Sequence, residues 1–259
     1  MNPKKVAVII PHYSEDKRYL NQCIQSLLKQ SHLGVDIYVS SSSPTRPDLH
    51  EKVKVIHSSE RMHYAKAINT GVRTAMAFGQ YDYFIFGNDD TIYSRTAIEN
   101  LVSEQARLKK ALGGEVILNA LSNCDNGLSF SADIVLSKDG ETLVLESSMT
   151  YDQVKEHIDL IESAPGGAKF FMPTEMVCMY ATMIPSQVLH KIGLLDERFV
   201  TAGWEDKDLC LRARKEMGIL CGITLHSFIF HFSGRTSSLV TTQQERDDNR
   251  NYFREKWSV

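Results

Sequence analysis

The sequence has 259 residues, of which 42% are apolar and 24% are charged, and its formal net charge is −3. This composition is typical of a globular chain that can bury a sizeable core. The near-neutral balance excludes binding to nucleic acid through overall charge, and no apolar run reaches the ~20 residues of a membrane span. The five cysteines are scattered without a C-x-x-C pair. We therefore expect a reduced, cytoplasmic protein that could meet a membrane only at its surface.

Strand and helix patterns alternate along the first 120 residues. The continuous apolar run at 6–10 predicts a strand that is buried on both faces, and apolar residues at helical spacing follow it over 20–28. Further strands are predicted at 35–39, 53–56, 83–86 and 116–121, with helices over 65–76 and 98–112. Such alternation predicts an α/β fold with a mostly parallel central sheet flanked by helices.

The pattern changes after residue 121. Apolar residues at 134–136 and 143–145 flank Lys138-Asp139-Gly140, which predicts a small hairpin. A short helix over 151–161, a strand over 176–184, a helix over 209–217, an extended segment over 219–225 and a final helix over 243–257 are predicted after it. Because no clean linker interrupts the chain, we expect one domain.

Three polar residues, Asn88, Asp89 and Asp90, directly follow the apolar strand predicted at 83–86 and its terminal Gly87. Ligands of open α/β sheets bind at the carboxyl ends of the strands. Oxygen ligands crowded at that edge suit a hard divalent cation that keeps waters and substrate phosphates in its shell. A solvated turn is the alternative interpretation of the same triplet.

Seven segments resemble the family 2 glycosyltransferases of the GT-A fold. Residues 6–13 look like the opening V-x-V-I-I-P-x-Y, residues 64–71 look like F-A-x-A-x-N-x-G, and 88–90 stand at the D-x-D. Residues 192–199 resemble V-G-x-F-D-E-x-F, 204–212 resemble G-x-E-D-x-D-L-x-x-R, 231–234 resemble H-x-x-G, and 252–257 are similar to a Y-F-x-x-K-W ending. The order of these segments carries the resemblance.

The resemblance implies a Rossmann-like GT-A domain with a small hairpin region on the acceptor side. Residues 1–120 would be its nucleotide-sugar-binding half, and residues 121–259 its acceptor-side half with the catalytic acid motif. The implied enzyme moves a sugar from a nucleotide-diphosphate sugar, a UDP-sugar by default, to an acceptor hydroxyl. The implied mechanism is inverting and depends on a divalent metal, Mn or Mg.

The resemblance also implies roles for individual residues. Asp90 and His231 are expected to ligate the metal, although a histidine outside any site is the alternative for His231. Asp206 is expected to be the base that takes the proton of the acceptor hydroxyl, with Glu205 beside it as a second catalytic acid. Donor contacts are expected from Pro11, His12, Tyr13, Ser41, His63, Lys66, Asn88, Asp89 and Trp204.

Structural interpretations of the acid motif stay open. Acids in the first turn of a helix are common as caps, which would account for Glu205 and Asp206 without catalysis. Trp204 could pack in the core instead of against a sugar. Asp208 and Arg212 are four residues apart, which predicts a structural ion pair.

Two other functions compete with glycosyl transfer. A sugar nucleotidyltransferase would carry a Gly-rich phosphate loop after the first strand, and residues 11–14 contain no glycine. A non-catalytic nucleotide- or sugar-binding module would be expected to lack Asp90 or Asp206. The acceptor, whether a glycan, a lipid-linked sugar, a protein or another molecule, is not defined by the sequence, and no nucleic-acid partner is expected.

Overall fold

The computed structural model describes residues 3–123, 171–233 and 242–259. Along the chain these residues form β1 (Val6–His12), α1 (Arg18–Leu28), β2 (Val35–Ser41), β3 (Val53–His57), α2 (Tyr64–Phe78), β4 (Tyr83–Gly87), β5 (Thr91–Tyr93), α3 (Ala97–Leu112) and β6 (Val116–Ser122). There follow β7 (Phe171–Thr174), β8 (Ala181–Pro185), α4 (Ser186–Ile192), α5 (Glu205–Met217), β9 (Leu220–His231) and α6 (Gln243–Trp257). The predicted hairpin at 134–145 and the predicted helix at 151–161 lie outside the described residues.

The described strands form a single sheet in the order β3-β2-β1-β4-β8-β6-β9-β5, with β7 also paired to β9. The first four strands are parallel, and β6 and β9 are parallel to each other. β8 runs antiparallel between β4 and β6, and β5 and β7 run antiparallel to β9. The α/β class and the mostly parallel sheet are therefore confirmed, and the reversed strands belong to the second half of the sheet.

Two apolar layers cover the two faces of the sheet. Alternate residues of β1 point to opposite sides, so that Val6 and Val8 pack with α1 and α3, whereas Ala7 and Ile9 pack with α2, α4 and α5. This division explains the uninterrupted apolar run of β1, because a central strand of such a sheet meets helices on both of its faces.

The end of β9 brings distant parts of the chain together. β9 pairs in parallel with β6, and the register shifts between Ala120 and Leu121. Beyond this irregularity its last residues pair with β5, with Thr91 opposite His231. The β4–β5 turn and the end of β9 therefore meet at one edge of the sheet.

Most predicted elements are found within two residues of their expected bounds, but the second half contains corrections. The strand predicted over 176–184 begins only at Ala181, because Val177 and Met179 supply buried apolar contacts from a turn and not from a strand. β9 continues to His231, well beyond the predicted 219–225. No helix among the described residues is both long and apolar enough to cross a bilayer.

Candidate functional site

A cleft of about 340 Å³ opens at the edge of the sheet where β1, β4 and β9 end. Its walls come from these strand ends, from the start of α2, and from the loop that precedes α5. The lining residues are Pro11, His12, Tyr13, Arg61, Met62, His63, Tyr64, Ala67, Asn88, Asp89, Asp90, Val200, Thr201, Ala202, His231 and Ser233. Eight of the site residues predicted from the sequence therefore line one cavity. It lies at the ends of strands, where ligands of such sheets bind.

Asp90 and His231 face each other in this cleft. Asp90 Oδ1 lies 3.0 Å from His231 Nε2, and the Asn88 amide nitrogen lies 3.2 Å from the same ring nitrogen. Nε2 can serve only one of these partners, by accepting from Asn88 or by donating to Asp90. A cation bound by Asp90 Oδ1 and His231 Nε2 would use the single lone pair of Nε2 in place of the Asn88 contact.

The pair fits a divalent cation. Mn²⁺ accepts both carboxylate oxygen and imidazole nitrogen as ligands, whereas Mg²⁺ prefers oxygen. Two neighbouring ligands of a six-coordinate ion, each at ~2.1 Å, stand about 3 Å apart, as Oδ1 and Nε2 do here. Within the described ranges, no group of three or more His, Cys, Asp or Glu side chains is arranged for a metal. An ion held by two protein ligands leaves room in its shell for water and for substrate oxygens.

The adjacent pair His12 and Asp89 is fixed by the neighbouring parallel strands β1 and β4. His12 Nδ1 lies 2.6 Å from Asp89 Oδ2, and the two side chains are 0% and 6% exposed. His12 Nε2 is also buried and has no hydrogen-bond partner among the described residues. A buried polar atom without a partner is costly, so this nitrogen is suited to a hydrogen bond with a bound molecule or water.

Three side chains form the rim beside β1 and α2. The guanidinium of Arg61 lies 5.5 Å from the ring centre of Tyr13, in a cation–π contact. His63 is the N-cap of α2, and partial burial together with the charge of Arg61 lowers its pKa. At neutral pH the rim therefore carries the positive charge of Arg61 beside a neutral imidazole.

Glu205 and Asp206 are buried at the start of α5. Burial raises the pKa of Glu205 well above its usual value, and the charge of Asp206 raises it further. Burial also raises the pKa of Asp206, to about 6, and backbone N–H groups of the helix start limit that rise. The amide of Lys207, for example, donates to Asp206 Oδ1 at 2.7 Å. The Asp206 carboxylate is therefore ionised at neutral pH, and ionisation of Glu205 beside it is disfavoured.

Tyr64 lies between the cleft, which it lines, and the acid pair, whose charges affect its hydroxyl. Its hydroxyl donates to the carbonyl of Met179 at 2.6 Å, and its ring lines the cleft. Burial raises the pKa of Tyr64, and the charges of Glu205 and Asp206 raise it further, as expected for neighbouring groups. Asp206 itself is 9% exposed and does not line the cleft.

Three residues predicted for donor binding lie outside the cleft. Ser41 is fully buried and its hydroxyl is 2.6 Å from that of Ser43. Lys66 is exposed on α2, and Trp204 packs against Phe253 of α6 with ring centres 4.9 Å apart. For Trp204 the sequence allowed either packing in the core or contact with a sugar, and the structure shows a packing contact. The predicted Asp208–Arg212 ion pair is confirmed, at 2.9 Å.

Several lining residues were not predicted from the sequence. Arg61 and Tyr64 are close in sequence to the predicted His63. Their position around the start of α2 could have predicted that they line the same cleft. Val200, Thr201 and Ala202 carried no signal, because small and β-branched residues in a loop have no characteristic spacing. They reach the cleft only because the loop before α5 folds back over it.

The comparisons with known proteins agree with this fold. Residues 7–114, less than half of the chain, match the family model described as Glycosyl transferase family 2. No curated protein matches the sequence. Solved structures match it, including GalNAc-T7 with UDP, GalNAc and Mn²⁺, at 16% identity and a TM-score of 0.61. That match covers 89% of this chain and 44% of the other.

Two further structures have the same fold. TarS of S. aureus matches with a TM-score of 0.56 and 10% identity, over 97% of this chain and 39% of its own. The mannosyltransferase PcManGT from Pyrobaculum calidifontis, in complex with GDP-Man and Mn²⁺, matches with a TM-score of 0.54 and 12% identity. That match covers 92% of this chain and 60% of the other. The family match and these structures confirm the resemblance to family 2 glycosyltransferases and the GT-A fold.

Proposed function

We propose that this chain is a glycosyltransferase that moves a sugar from a nucleoside diphosphate sugar to an acceptor hydroxyl. The observation that carries the proposal is the meeting of Asp90 and His231, 141 residues apart in sequence and 3.0 Å apart in the cleft. The family match over residues 7–114 supports it, as do similar structures that hold UDP or GDP-Man together with Mn²⁺. The chain spans 44% of the GalNAc-T7 structure and 39% of the TarS structure, so the activity of a whole relative is not assumed.

Asp90 and His231 would hold the divalent metal, Mn or Mg, with Asn88 beside them. When bound there, the ion would neutralise the negative charge that develops on the departing diphosphate. Asp89 is held by its 2.6 Å contact with His12, so its carboxylate is oriented before a donor binds. Asp89 and Asn88 are then available to accept hydrogen bonds from the hydroxyls of the donor.

The donor would enter with its base and ribose between the end of β1 and the start of α2, beside Pro11, Tyr13 and His63. Arg61 supplies positive charge on that side of the cleft, which suits a diphosphate. A UDP-sugar is the default donor. The geometry supports no donor role for Ser41 or Lys66, because neither lines the cleft.

Asp206 would act as the base of an inverting reaction, taking the proton of the acceptor hydroxyl as it attacks the anomeric carbon. Its pKa of about 6 favours this role, because the carboxylate is ionised at neutral pH and yet more basic than an ordinary aspartate. Burial and the charge of Asp206 would disfavour ionisation of Glu205, which limits repulsion between the two carboxyls.

The proposal is tested with a panel of nucleoside diphosphate sugars, each incubated with Mn²⁺, with Mg²⁺ or with a chelator. Release of the nucleoside diphosphate is measured. We expect release from at least one donor that requires the metal and is abolished by Asp90→Asn. Asp82→Asn is the matched control, since Asp82 pairs with Lys4 at the opposite end of β4. Metal-independent release would contradict the proposal, and nucleotide binding without release would support the non-catalytic binding module.

A further inference from the structure

The loop that connects the cleft to Asp206 has an unusual backbone. Val200, Thr201 and Ala202 line the cleft, and Glu205 and Asp206 follow after two intervening residues. Between them Gly203 has φ 113° and Trp204 has φ 80°. Positive φ at a residue as large as tryptophan is uncommon and persists only when surrounding contacts enforce it. The position of Asp206 therefore depends on whatever holds this loop.

A single buried side chain from α6 holds it. Asn249 is 1% exposed and makes three hydrogen bonds to the loop backbone. Its Oδ1 accepts from the amide of Val200 at 3.0 Å, and its Nδ2 donates to the carbonyls of Thr201 at 2.8 Å and Gly203 at 3.1 Å. Both N–H groups and the oxygen of the amide are thus used, and no other side chain of this size offers that combination at one position.

A second contact from the same helix supports the unusual residue. Phe253, one turn beyond Asn249 and 2% exposed, packs its ring against Trp204 at 4.9 Å between centres. Asn249 fixes the backbone before and at Gly203, and Phe253 fixes the side chain after it. The two side chains project from one face of α6, because residues four apart lie above each other on a helix.

α6 is itself anchored to the start of α5 and to the segment before the loop. Lys256 Nζ lies 2.7 Å from Asp208 and 2.8 Å from Asp196, and the indole N–H of Trp257 donates to Asp208 at 3.0 Å. Asp208 is two residues beyond Asp206. The loop is thus held by a helix that is bound firmly to the elements on both sides of it.

We propose that Asn249 is a positioning residue for the cleft loop and, through it, for Asp206. This inference rests on the proposed function only where it concerns turnover. Its structural part, that Asn249 sets the conformation of residues 200–204, stands without any substrate. The terminal helix α6 then belongs to the machinery of the site, although it contributes no residue to the lining of the cleft.

The experiment uses Trp204 as a reporter. The chain has two tryptophans, so in a Trp257→Phe background Trp204 is the single tryptophan. Asn249→Leu removes all three hydrogen bonds, and Asn249→Asp keeps an acceptor for Val200 but turns a carboxylate toward two carbonyls. Tyr252→Phe is the control, since it removes a 2.7 Å hydrogen bond from α6 to Asp196 and leaves the loop untouched.

We expect both Asn249 variants to increase acrylamide quenching of Trp204, while Tyr252→Phe leaves it at the background value. Turnover should fall about 10- to 100-fold, the range expected for a misplaced reacting group. Affinity for UDP with Mn²⁺ should change less than about threefold. The misplaced group is Asp206, whose interaction with the acceptor proton is made only in the transition state. If Asn249→Leu does not fold, the same measurements on Asn249→Asp still test the proposal.

A lowered unfolding midpoint with unchanged Trp204 quenching would overturn the proposal, because Asn249 would then act on stability alone. Unchanged turnover in variants whose quenching has increased would also overturn it, because the loop would not govern Asp206. If the unsubstituted chain releases nucleotide from no donor, the proposed function fails. The quenching comparison still decides whether Asn249 sets the loop.

Discussion

Glu205 and Asp206 are consecutive residues at the start of α5, and both of their carboxyls are buried there. Burial raises both pKa values. The backbone amides of Trp204, Asp206 and Lys207 stabilise the Asp206 carboxylate and keep its pKa at about 6. Glu205 also has the charge of Asp206 beside it, so its pKa rises further. The negative charge is thereby favoured on one of the two neighbouring acids, because an ionised Asp206 disfavours a second charge on Glu205.

The first prediction is a pH profile with one ascending limb. Turnover should rise with pH through about 6, because Asp206 must lose its proton before it can accept one from the acceptor. Asp206→Asn should remove the limb and lower turnover by ~10²-fold or more, the usual contribution of a positioned base. Glu205→Gln is the matched control and should keep the limb, because the Asp206 carboxyl that produces the limb is still present. A limb that persists in Asp206→Asn would exclude the assignment.

The second prediction concerns stability and follows from the same pKa. Because the folded-state pKa of Asp206 lies above the ordinary value of 3.8, the folded protein binds this proton more tightly than the unfolded chain does. The contribution to stability is therefore full below pH 3.8 and is lost as pH rises through about 6. Asp206→Asn should be more stable than the unsubstituted chain at pH 7.5, by about 1–3 kcal/mol.

Urea unfolding at pH 4 and pH 7.5 measures this difference. The gain of Asp206→Asn should be much smaller at pH 4, where the folded protein binds the proton and the unfolded chain binds it in part. Asp248→Asn, at an exposed position on α6, is the control and should show no pH-dependent gain. An Asp206→Asn variant that is less stable than the unsubstituted chain at pH 7.5 would mean that its amide hydrogen bonds outweigh its burial.

Local patterns predicted the framework well, because the periods of strands and helices are properties of neighbouring residues. The strand expected at 6–10 and the helix expected at 65–76 appear as β1 and α2 with small extensions. The strand predicted from the apolar run at 176–184 was too long, because buried residues outside a strand give the same apolar pattern as a strand. Val177 and Met179 are such residues. The short strand β5 was missed because three residues carry no period.

The site was predictable only in part, for a related reason. The end of β1 and the end of β4 could be placed together, because parallel strands share an edge, and His12 does contact Asp89. The approach of His231 to Asp90 depends on the pairing of β5 with β9, which no spacing in the sequence encodes. The contact of Trp204 with Phe253 depends on a positive φ and on the docking of α6, both of which are tertiary features.

The third prediction uses the departure from the D-x-D pattern at Asn88. Its amide nitrogen lies 3.2 Å from His231 Nε2, so an aspartate there would add negative charge next to the Asp90–His231 pair. Ligand charge is a main determinant of affinity for divalent cations, and Asn88→Asp should tighten Mn²⁺ binding by about tenfold. Calorimetric titration measures it, with Gln25→Glu on the exposed face of α1 as the control for added charge. Equal affinities in both variants would place the metal elsewhere.

The fourth prediction concerns the packing of α2 on the sheet. A Cβ added at Gly71 would meet the side chain of Ile9 and lie 2.8 Å from Ser40 Oγ, so Gly71→Ala should destabilise the protein by about 1–3 kcal/mol. Gly79→Ala, at the end of the same helix, meets nothing within 4 Å and has an extended backbone with φ 178°. It should therefore be neutral or slightly stabilising. Chemical denaturation of the two variants measures the contrast, and equal effects would contradict the close approach of α2.

The last prediction tests which part of the donor meets Arg61. Among the described residues that line the cleft, Arg61 is the one arginine or lysine. Its guanidinium lies over Tyr13 at 5.5 Å and within 3.9 Å of Glu245, which orients it along the rim. A hydrogen bond to a charged group is worth roughly 1.5–3 kcal/mol, so Arg61→Ala should weaken UDP binding by about tenfold or more.

The comparison of UDP with uridine identifies the contact. If Arg61 meets the diphosphate, Arg61→Ala weakens UDP binding and leaves uridine binding nearly unchanged, and added salt reduces the difference. Arg61→Lys should recover part of the affinity, since it keeps the charge and loses the planar fork. Arg73→Ala is the control, because Arg73 pairs with Glu197 and does not line the cleft. An equal loss for UDP and uridine would instead assign Arg61, with Tyr13, to the base.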